Sequence, residues 1–187
     1  TVASITVAGA LAQFTADGFS HNLTFTVAAG DATISAANLA ALDALTTGSI
    51  DASNVTTITG SSADVISVFA SSGITDLGTA ENIILTDNPT VSQLNSINAL
   101  STAPVTGTIV GAMSDLSGIT ESGNALTVSV TGDYAVTDLS ALKAKTTGEV
   151  TVSADSTITG TYTDVNTAID TSGINNLSSA SVTITGS

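Results

Sequence analysis

Three polar turns carry the residues whose types and positions could bind a cation. Each turn follows a β-branched or apolar run that is typical of a strand. Carboxylate and amide oxygens suit calcium, which takes about six to eight oxygen ligands. Because neighbouring strands of a sheet lie about 4.8 Å apart, equivalent residues of successive strands could form a column. The sequence therefore predicts calcium ligands along one sheet edge at Asp31, Asp87, Asn88 and Asp133.

The same four residues also suit a purely structural role. Asp and Asn side chains accept hydrogen bonds from backbone N–H groups in turns and at helix N-termini. Each of the four could therefore cap a helix or tighten its own turn without binding an ion. The sequence leaves both interpretations open. Weaker candidate ligands stand at other corners, namely Asp51, Asn54, Asp155 and Asp164.

Residue types suited to enzyme catalysis are scarce. His21 is the one histidine, and no Gly-x-Ser-x-Gly segment presents a nucleophile beside a base. Aspartates are numerous enough for a carboxylate pair to arise by chance, so a carbohydrate-active enzyme remains an alternative. Aromatic residues make up only 3% of the chain, which disfavours a sugar-binding platform. The sequence predicts a protein that is not an enzyme.

The elements that position these residues repeat along the chain. Residues 38–48 and 138–148 share a Leu-x-Ala-Leu pattern that ends in Thr-Thr-Gly. The match continues without a gap, with Thr-Ile-Thr-Gly at 57–60 and 157–160 and Ser-Gly-Ile at 72–74 and 172–174. Similarity at a fixed distance is the signature of a repeat array. Ser61-x-x-Asp64 and Thr161-x-x-Asp164 predict helix starts within both copies.

The spacing of strand-like runs predicts the fold class. Such runs begin near residues 24, 49, 82, 106, 126, 149 and 181, with amphipathic helical segments between them. This pattern favours an α/β repeat solenoid with parallel strands and short helices; the alternative is a tandem array of small α+β repeats. Residues 1–23, with a strand-like Ser4–Val7, are expected to be an N-terminal cap or linker. Residues 24–187 are expected to form the solenoid, divided into 24–87, a compressed 88–125 and 126–187.

The charge balance limits the partners. The formal net charge is −14, from 16 acids against two lysines. Such a surface repels nucleic acid and anionic membranes and attracts cations. No apolar run is long enough to span a bilayer, so membrane insertion is not expected. Cysteine is absent, which excludes disulfides and thiolate metal sites.

The repeated pattern resembles that of a family of large proteins. Asp/Asn-Leu-x-Ala-Leu-x-Ala-x-Thr-Thr-Gly, followed by Thr-Ile-Thr-Gly and Ser-Gly-Ile-x-x-Leu, is similar to the tandem repeats of giant bacterial surface proteins. These include S-layer-like, adhesin-like and motility-associated proteins of cyanobacteria and proteobacteria. The resemblance covers about residues 24–187 and implies an extracellular structural or adhesive role, often with bound calcium. The Gly-Gly-x-Gly-x-Asp nonapeptide of calcium-binding β-rolls is absent.

The expected partners follow from this interpretation. The apolar strand-like run 181–187 has no helix or strand after it in the sequence, unlike its counterpart near residue 81. We therefore expect self-association through this end, or continuation into further repeats of the same chain. Surface polysaccharide is a further candidate partner. The sequence thus predicts a self-assembling, cation-stabilised component of a bacterial surface layer or filament; a carbohydrate-binding adhesin is the alternative.

Overall fold

The computed structural model describes residues 4–78 and 81–186, so residues 1–3 of the expected N-terminal cap lie outside the described part. The chain forms two compact units. Unit 1 comprises residues 1–87 and 96–105, and unit 2 comprises residues 88–95 and 106–187. Within the described residues the fold is mixed α/β, with seven α helices.

Unit 1 alternates short strands with helices of 9 to 11 residues. Its elements are α1 (Val7–Asp17), β1 (Phe25–Thr26), β2 (Thr33–Ser35), α2 (Ala36–Ala44), β3 (Ile50–Asp51), β4 (Thr57–Gly60), α3 (Ser62–Ala70), β5 (Ile74–Thr75) and β6 (Asn82–Leu85), with α4 (Val91–Leu100) divided between the units. A 3-10 turn at Ala29–Asp31 precedes β2.

Unit 2 continues the same alternation. Its elements are β7 (Val105–Ala112), α5 (Met113–Leu116), β8 (Ala125–Thr131), β9 (Tyr134–Ala135), α6 (Val136–Lys143), β10 (Val150–Val152), β11 (Thr157–Gly160), α7 (Tyr162–Asp170), β12 (Ile174–Asn175) and β13 (Ser181–Ile184). A 3-10 turn at Leu177–Ser179 precedes β13. Helix α5 has only four residues, where α6 has eight and α7 has nine.

Strands within each unit pair in parallel with the equivalent strand further along the chain. In unit 1, β3 lies between β1 and β5, and β4 lies between β2 and β6. In unit 2, β8 pairs with β7 and β10, β10 also pairs with β12, and β11 lies between β9 and β13. We call two successive strands and the helix that follows them a layer; β3, β4 and α3 form one.

The core of each layer is built from small aliphatic residues. Ile58 on β4 and Ile158 on β11 are fully buried, with polar neighbours on either side, as alternation along a strand requires. Leu39 and Leu42 of α2 are buried, and so are Leu139 and Leu142 of α6. Spacing of three residues places both members of each pair on one helix face, which packs against the strands.

Side-chain caps explain where the helices begin. The Ser61 hydroxyl accepts a hydrogen bond from Asp64 N at 3.2 Å and donates to Asp64 Oδ2 at 2.7 Å. Thr161 and Asp164 make the same two contacts at the same distances. Each pair satisfies one of the unpaired N–H groups of a helix N-terminus, so both predicted helix starts are confirmed.

The predicted α/β class with parallel strands and short helices is confirmed, but the first element differs from expectation. Ile5 makes only an isolated parallel bridge to Val27, and helix α1 begins at Val7, so the expected strand at 4–7 is wrong. Thr6 accepts from Gly9 N as the N-cap. The alanine-rich run after it favours a helix, which outweighs the short alternation before it.

Candidate functional site

The two predicted ligands of unit 1 hold the first residues of helices. Asp31 Oδ2 accepts a hydrogen bond from Val7 N at 2.7 Å. Asp87 accepts from Ser62 N through Oδ1 at 2.9 Å and from the Ser62 hydroxyl through Oδ2 at 2.8 Å. A carboxylate at a helix N-terminus satisfies unpaired N–H groups and is favoured by the helix dipole. The partners lie 24 and 25 residues away, so each bond joins neighbouring layers.

The two predicted ligands of unit 2 also bind backbone groups. Asn88 Oδ1 accepts from Val110 N at 2.7 Å, and its Nδ2 donates to Val110 O at 3.4 Å. Asp133 Oδ1 accepts from Thr157 N at 2.8 Å, at the start of β11. The sequence predicted the turn positions of these side chains but not their partners, which lie 22 and 24 residues away.

Asp31 and Asp87 belong to unit 1, and Asn88 and Asp133 belong to unit 2. Among residues 4–78 and 81–186, no three His, Cys, Asp or Glu side chains stand close enough to hold a metal ion. The single hydrogen bonds to Asp31 and Asp133 each involve one carboxylate oxygen. A cation could therefore still approach the second oxygen from solvent, and calcium binding stays a prediction.

The Thr-Thr-Gly motif forms a hydrogen-bond junction that the sequence did not reveal. The buried Thr146 hydroxyl shares its one proton between Leu126 O at 2.6 Å and Asn124 O at 3.1 Å. It also accepts from Leu126 N at 3.0 Å and from Gly148 N at 2.9 Å. One side chain thus satisfies backbone groups of two layers. The repetition of Thr-Thr-Gly was its only sequence signal.

The same junction exists in unit 1. The Thr46 hydroxyl shares its one proton between Leu23 O at 2.7 Å and His21 O at 3.0 Å. It accepts from Leu23 N at 3.3 Å and from Gly48 N at 3.0 Å. A side chain at Gly48 would overlap the carbonyl group of Leu23. The motif therefore needs a hydroxyl at its first position and no Cβ at its third.

A groove in unit 2 is a concave site of ligand size. Its volume is about 570 Å³, and its walls are residues 88–91 on one side and residues 109–111 and 114–116 on the other. We call it the β7–α5 groove. It lies beside the shortest of the described helices, α5, which ends at Leu116 ahead of Gly118. Pockets of about 300–1,000 Å³ are the usual size of ligand sites.

Asparagine side chains fix the two sides of the groove region. Asn88 pairs with both backbone groups of Val110 within the groove. Further along, Asn95 Nδ2 donates to Gly118 O at 2.9 Å, and Asn95 Oδ1 accepts from Thr120 N at 3.2 Å. Hydrogen bonds on both sides of α5 therefore fix the backbone around the groove.

The wall of the groove carries a negative charge and no positive charge. Asp115 is exposed in its wall, and no Lys or Arg lines it. The two lysines of the chain are engaged elsewhere: Lys143 Nζ donates to Thr146 O at 3.1 Å, and Lys145 Nζ donates to Thr120 O at 3.2 Å. The negative charge of Asp115 therefore has no basic side chain opposite it in the groove.

Two titratable groups outside the groove are perturbed. The pKa of Asp51 lies below its ordinary value, chiefly because the backbone N–H of Ser53 donates a hydrogen bond to its carboxylate, with a smaller effect of the Ser53 side chain. Burial raises the pKa of Tyr134, and the nearby Ser156 hydroxyl opposes that rise. The Tyr134 and Ser156 hydroxyls are both buried, and neither makes a short hydrogen bond.

Histidine 21 occupies a structural setting in unit 1. Its ring lies 4.5 Å from the ring of Phe14, centre to centre, and Phe14 in turn lies 5.3 Å from Phe25. The backbone carbonyl of His21 belongs to the Thr46 junction. The ring of His21 therefore helps to pack α1 against the first strands.

Comparison with known proteins identifies no relative. No protein-family model matches the chain, and no curated protein or solved structure is significantly similar to it. In the described part of the chain, every helix is too short or too polar to cross a bilayer.

Proposed function

We propose that this chain is a segment of an α/β solenoid with a structural, non-enzymatic role outside a bacterial cell. On this proposal it belongs to a surface layer or filament, assembles with further copies or repeats, and is stabilised by cations. The observation that carries the proposal is the recurrence of one hydrogen-bond junction at Thr46 and Thr146. A junction that joins neighbouring layers is useful in an array whose stability comes from nearest-neighbour contacts.

Exposed apolar side chains support self-association. In unit 2, helix α7 covers α6 and strand β13 covers β11. The outer side of α7 and β13 exposes Ile169 by 60%, Val182 by 39% and Ile184 by 48%. Within each unit, earlier elements such as β4 and α6 are covered by the next strand or helix, β6 or α7. A second copy is therefore a suitable partner for this surface.

Analytical ultracentrifugation and negative-stain microscopy test the assembly. We expect oligomers or filaments that grow with protein concentration, because a head-to-tail contact need not close into a ring. The double variant Ile169→Ser/Ile184→Ser should shift the chain to monomers. Phe19→Ser, which changes an apolar residue of unit 1 that is 72% exposed, is the control. A wild-type chain that stays monomeric at all concentrations contradicts the proposal.

Calcium is tested separately by melting. Any ion bound only by the folded state raises its stability by mass action. We expect the melting temperature to rise more in millimolar calcium chloride than in sodium chloride of equal ionic strength. Asp31→Asn and Asp133→Asn, which keep an acceptor for the backbone N–H, should abolish the excess. Equal effects of the two salts would leave only screening and remove calcium from the proposal.

The β7–α5 groove favours adhesion as a second candidate function. A groove of ligand size on a repetitive scaffold suits a protein that captures a partner at a surface. No aromatic ring lines this groove, so the stacking contacts that commonly bind sugars are missing from its walls. Titration with soluble polysaccharide fragments, followed by NMR, distinguishes a carbohydrate-binding adhesin from a purely structural component.

A further inference from the structure

The β7–α5 groove combines an apolar wall with one acid. Ile109 and Leu116 are almost fully buried behind it, while Val110 is 45% exposed and faces solvent. Val110 is one of few large aliphatic side chains exposed to this extent in the described chain. Burying such a side chain against a ligand is favourable. The wall therefore suits an aliphatic group.

Side-chain hydrogen bonds fix the backbone around the groove. The paired hydrogen bonds between Asn88 and Val110 fix the backbone of the wall, and those from Asn95 to Gly118 and Thr120 fix the segment after α5. A preformed site loses less conformational freedom on binding, and this leaves more of the contact energy as affinity.

Charge selects the kind of ligand. Asp115 is the charged residue in the groove wall, and the chain carries a net charge of −14. A second copy offers only Lys143 and Lys145 as basic side chains, and both already donate to backbone carbonyls. Another copy would therefore be repelled from this site, whereas a basic partner would be attracted.

We propose that the β7–α5 groove binds a basic peptide segment of another protein. An aliphatic side chain of the segment packs on Val110, and a neighbouring Lys or Arg pairs with Asp115. This proposal does not depend on the solenoid or on self-assembly, because it rests on the groove of unit 2 alone.

Titration of the full chain with short peptides, followed by methyl NMR, tests the proposal. The probe is acetyl-Lys-Leu-Lys-amide; the controls are acetyl-Glu-Leu-Glu-amide and acetyl-Lys-Gly-Lys-amide. We expect saturable shifts of the Val91, Val110 and Leu116 methyl signals with the probe alone. Higher sodium chloride should weaken binding, because the exposed charge pair is screened.

Two variants with matched controls locate the site. Asp115→Asn should weaken binding about two- to fivefold, the range of an exposed ion pair, and Asp155→Asn, also exposed in unit 2, should not. Val110→Ser should weaken it about fivefold, and Ile84→Ser, which changes an aliphatic residue of unit 1 that is 40% exposed, should not. All four positions are exposed, so the variants should fold; the unchanged dispersion of their NMR spectra checks this.

Several outcomes overturn the proposal. If acetyl-Lys-Gly-Lys-amide binds as tightly as the probe, the binding is a general attraction between opposite charges. The same conclusion follows if Asp155→Asn and Asp115→Asn lose equal affinity for the probe. Groove shifts with maltose but not with the peptide would indicate a saccharide. Groove shifts that depend on protein concentration alone would indicate a second copy. Absence of methyl shifts at millimolar probe would show that this groove does not bind such peptides.

Discussion

At the scale of single residues, many polar side chains in this protein bind backbone groups of the neighbouring layer. Thr146, Asp87 and Asn88 each bind main-chain atoms 20 to 25 residues away. Short strands leave many N–H and C=O groups near layer corners without sheet partners, and buried backbone groups must be paired. The abundance of Thr, Ser, Asp and Asn follows from this need.

Replacing Thr146 by valine tests the junction. Valine keeps the shape but leaves Leu126 N, Leu126 O and Gly148 N without the hydroxyl. Each buried group left unpaired costs about 1–3 kcal/mol. We expect a loss of at least about 2 kcal/mol in the free energy of unfolding, measured with urea.

The matched control is Thr127→Val, which changes an exposed threonine on β8 and should alter stability by less than about 0.5 kcal/mol. Thr46→Val should reproduce the loss seen for Thr146→Val. If the losses at the two junctions differ strongly, the junctions are not equivalent.

Tyr134 links stability to alkaline pH. Because burial raises its pKa, the folded state holds the phenolic proton more tightly than the unfolded chain does. This contribution is fully present below the unfolded pKa of about 10 and is lost as pH rises through the folded pKa. We expect Tyr134→Phe to weaken the fall in stability above about pH 10, measured by urea unfolding.

Tyrosinate absorbance provides the independent measurement. The chain has two tyrosines, so Tyr162→Phe leaves Tyr134 as the only one, and its titration midpoint should lie above about 10. At neutral pH, Tyr134→Phe should be within about 1 kcal/mol of wild type, since its hydroxyl makes no hydrogen bond. A midpoint at or below 10 would contradict the burial argument.

At the scale of elements, the match between residues 38–48 and 138–148 was informative because it concerned helices. Helices α2 and α6 begin at Ala36 and Val136, and strands β4 and β11 span residues 57–60 and 157–160. Local patterns predicted the two-residue strands β1 and β3 but not β5 and β12. Two residues carry no alternation to detect, and their pairing is set by the neighbouring layer.

The candidate site was predictable only in part, for a similar reason. Asp31 and Asp133 were located at turns because acids after strand-like runs are visible in the sequence. Their partners, Val7 N and Thr157 N, are backbone atoms with no sequence signature. The β7–α5 groove depends on how much shorter α5 is than its neighbours. The sequence indicated compression at 88–125 but not the space it leaves.

Gly148 provides a prediction for the link between helix α6 and strand β10. A Cβ at this position would overlap the Leu126 carbonyl, so either the junction or the strand must shift. We expect Gly148→Ala to cost about 1–3 kcal/mol, typical of overpacking. Gly30→Ala is the control, because nothing lies within 4 Å of its Cβ. Similar stabilities of the two variants, compared by thermal melting, would show that the close approach is unimportant.

At the scale of the whole molecule, charge is the dominant property. With 16 acids and two lysines, the folded state brings like charges closer together than the unfolded chain does. Short hydrogen bonds from backbone N–H groups to Asp31, Asp87 and Asp133 offset part of this repulsion. The remainder should respond to ionic strength.

We expect the melting temperature to rise between about 10 mM and 500 mM sodium chloride, because the Debye length shortens from about 30 Å to a few ångströms over this range. A triple variant, Glu121→Gln/Asp155→Asn/Asp170→Asn, removes three exposed acids and should show a smaller rise. Identical salt dependence of variant and wild type would mean that these surface charges do not oppose folding.

The hydrogen-bond junctions join adjacent layers, and this affects how such a chain can evolve. The backbone partners of Thr146, Asp87 and Asp133 lie one layer away, so these contacts depend only on adjacent layers. Duplication or loss of one layer's worth of coding sequence, by recombination between similar stretches, preserves every remaining contact. We therefore expect descendants of this gene to change first in the number of layers, while the two Thr-Thr-Gly motifs stay intact.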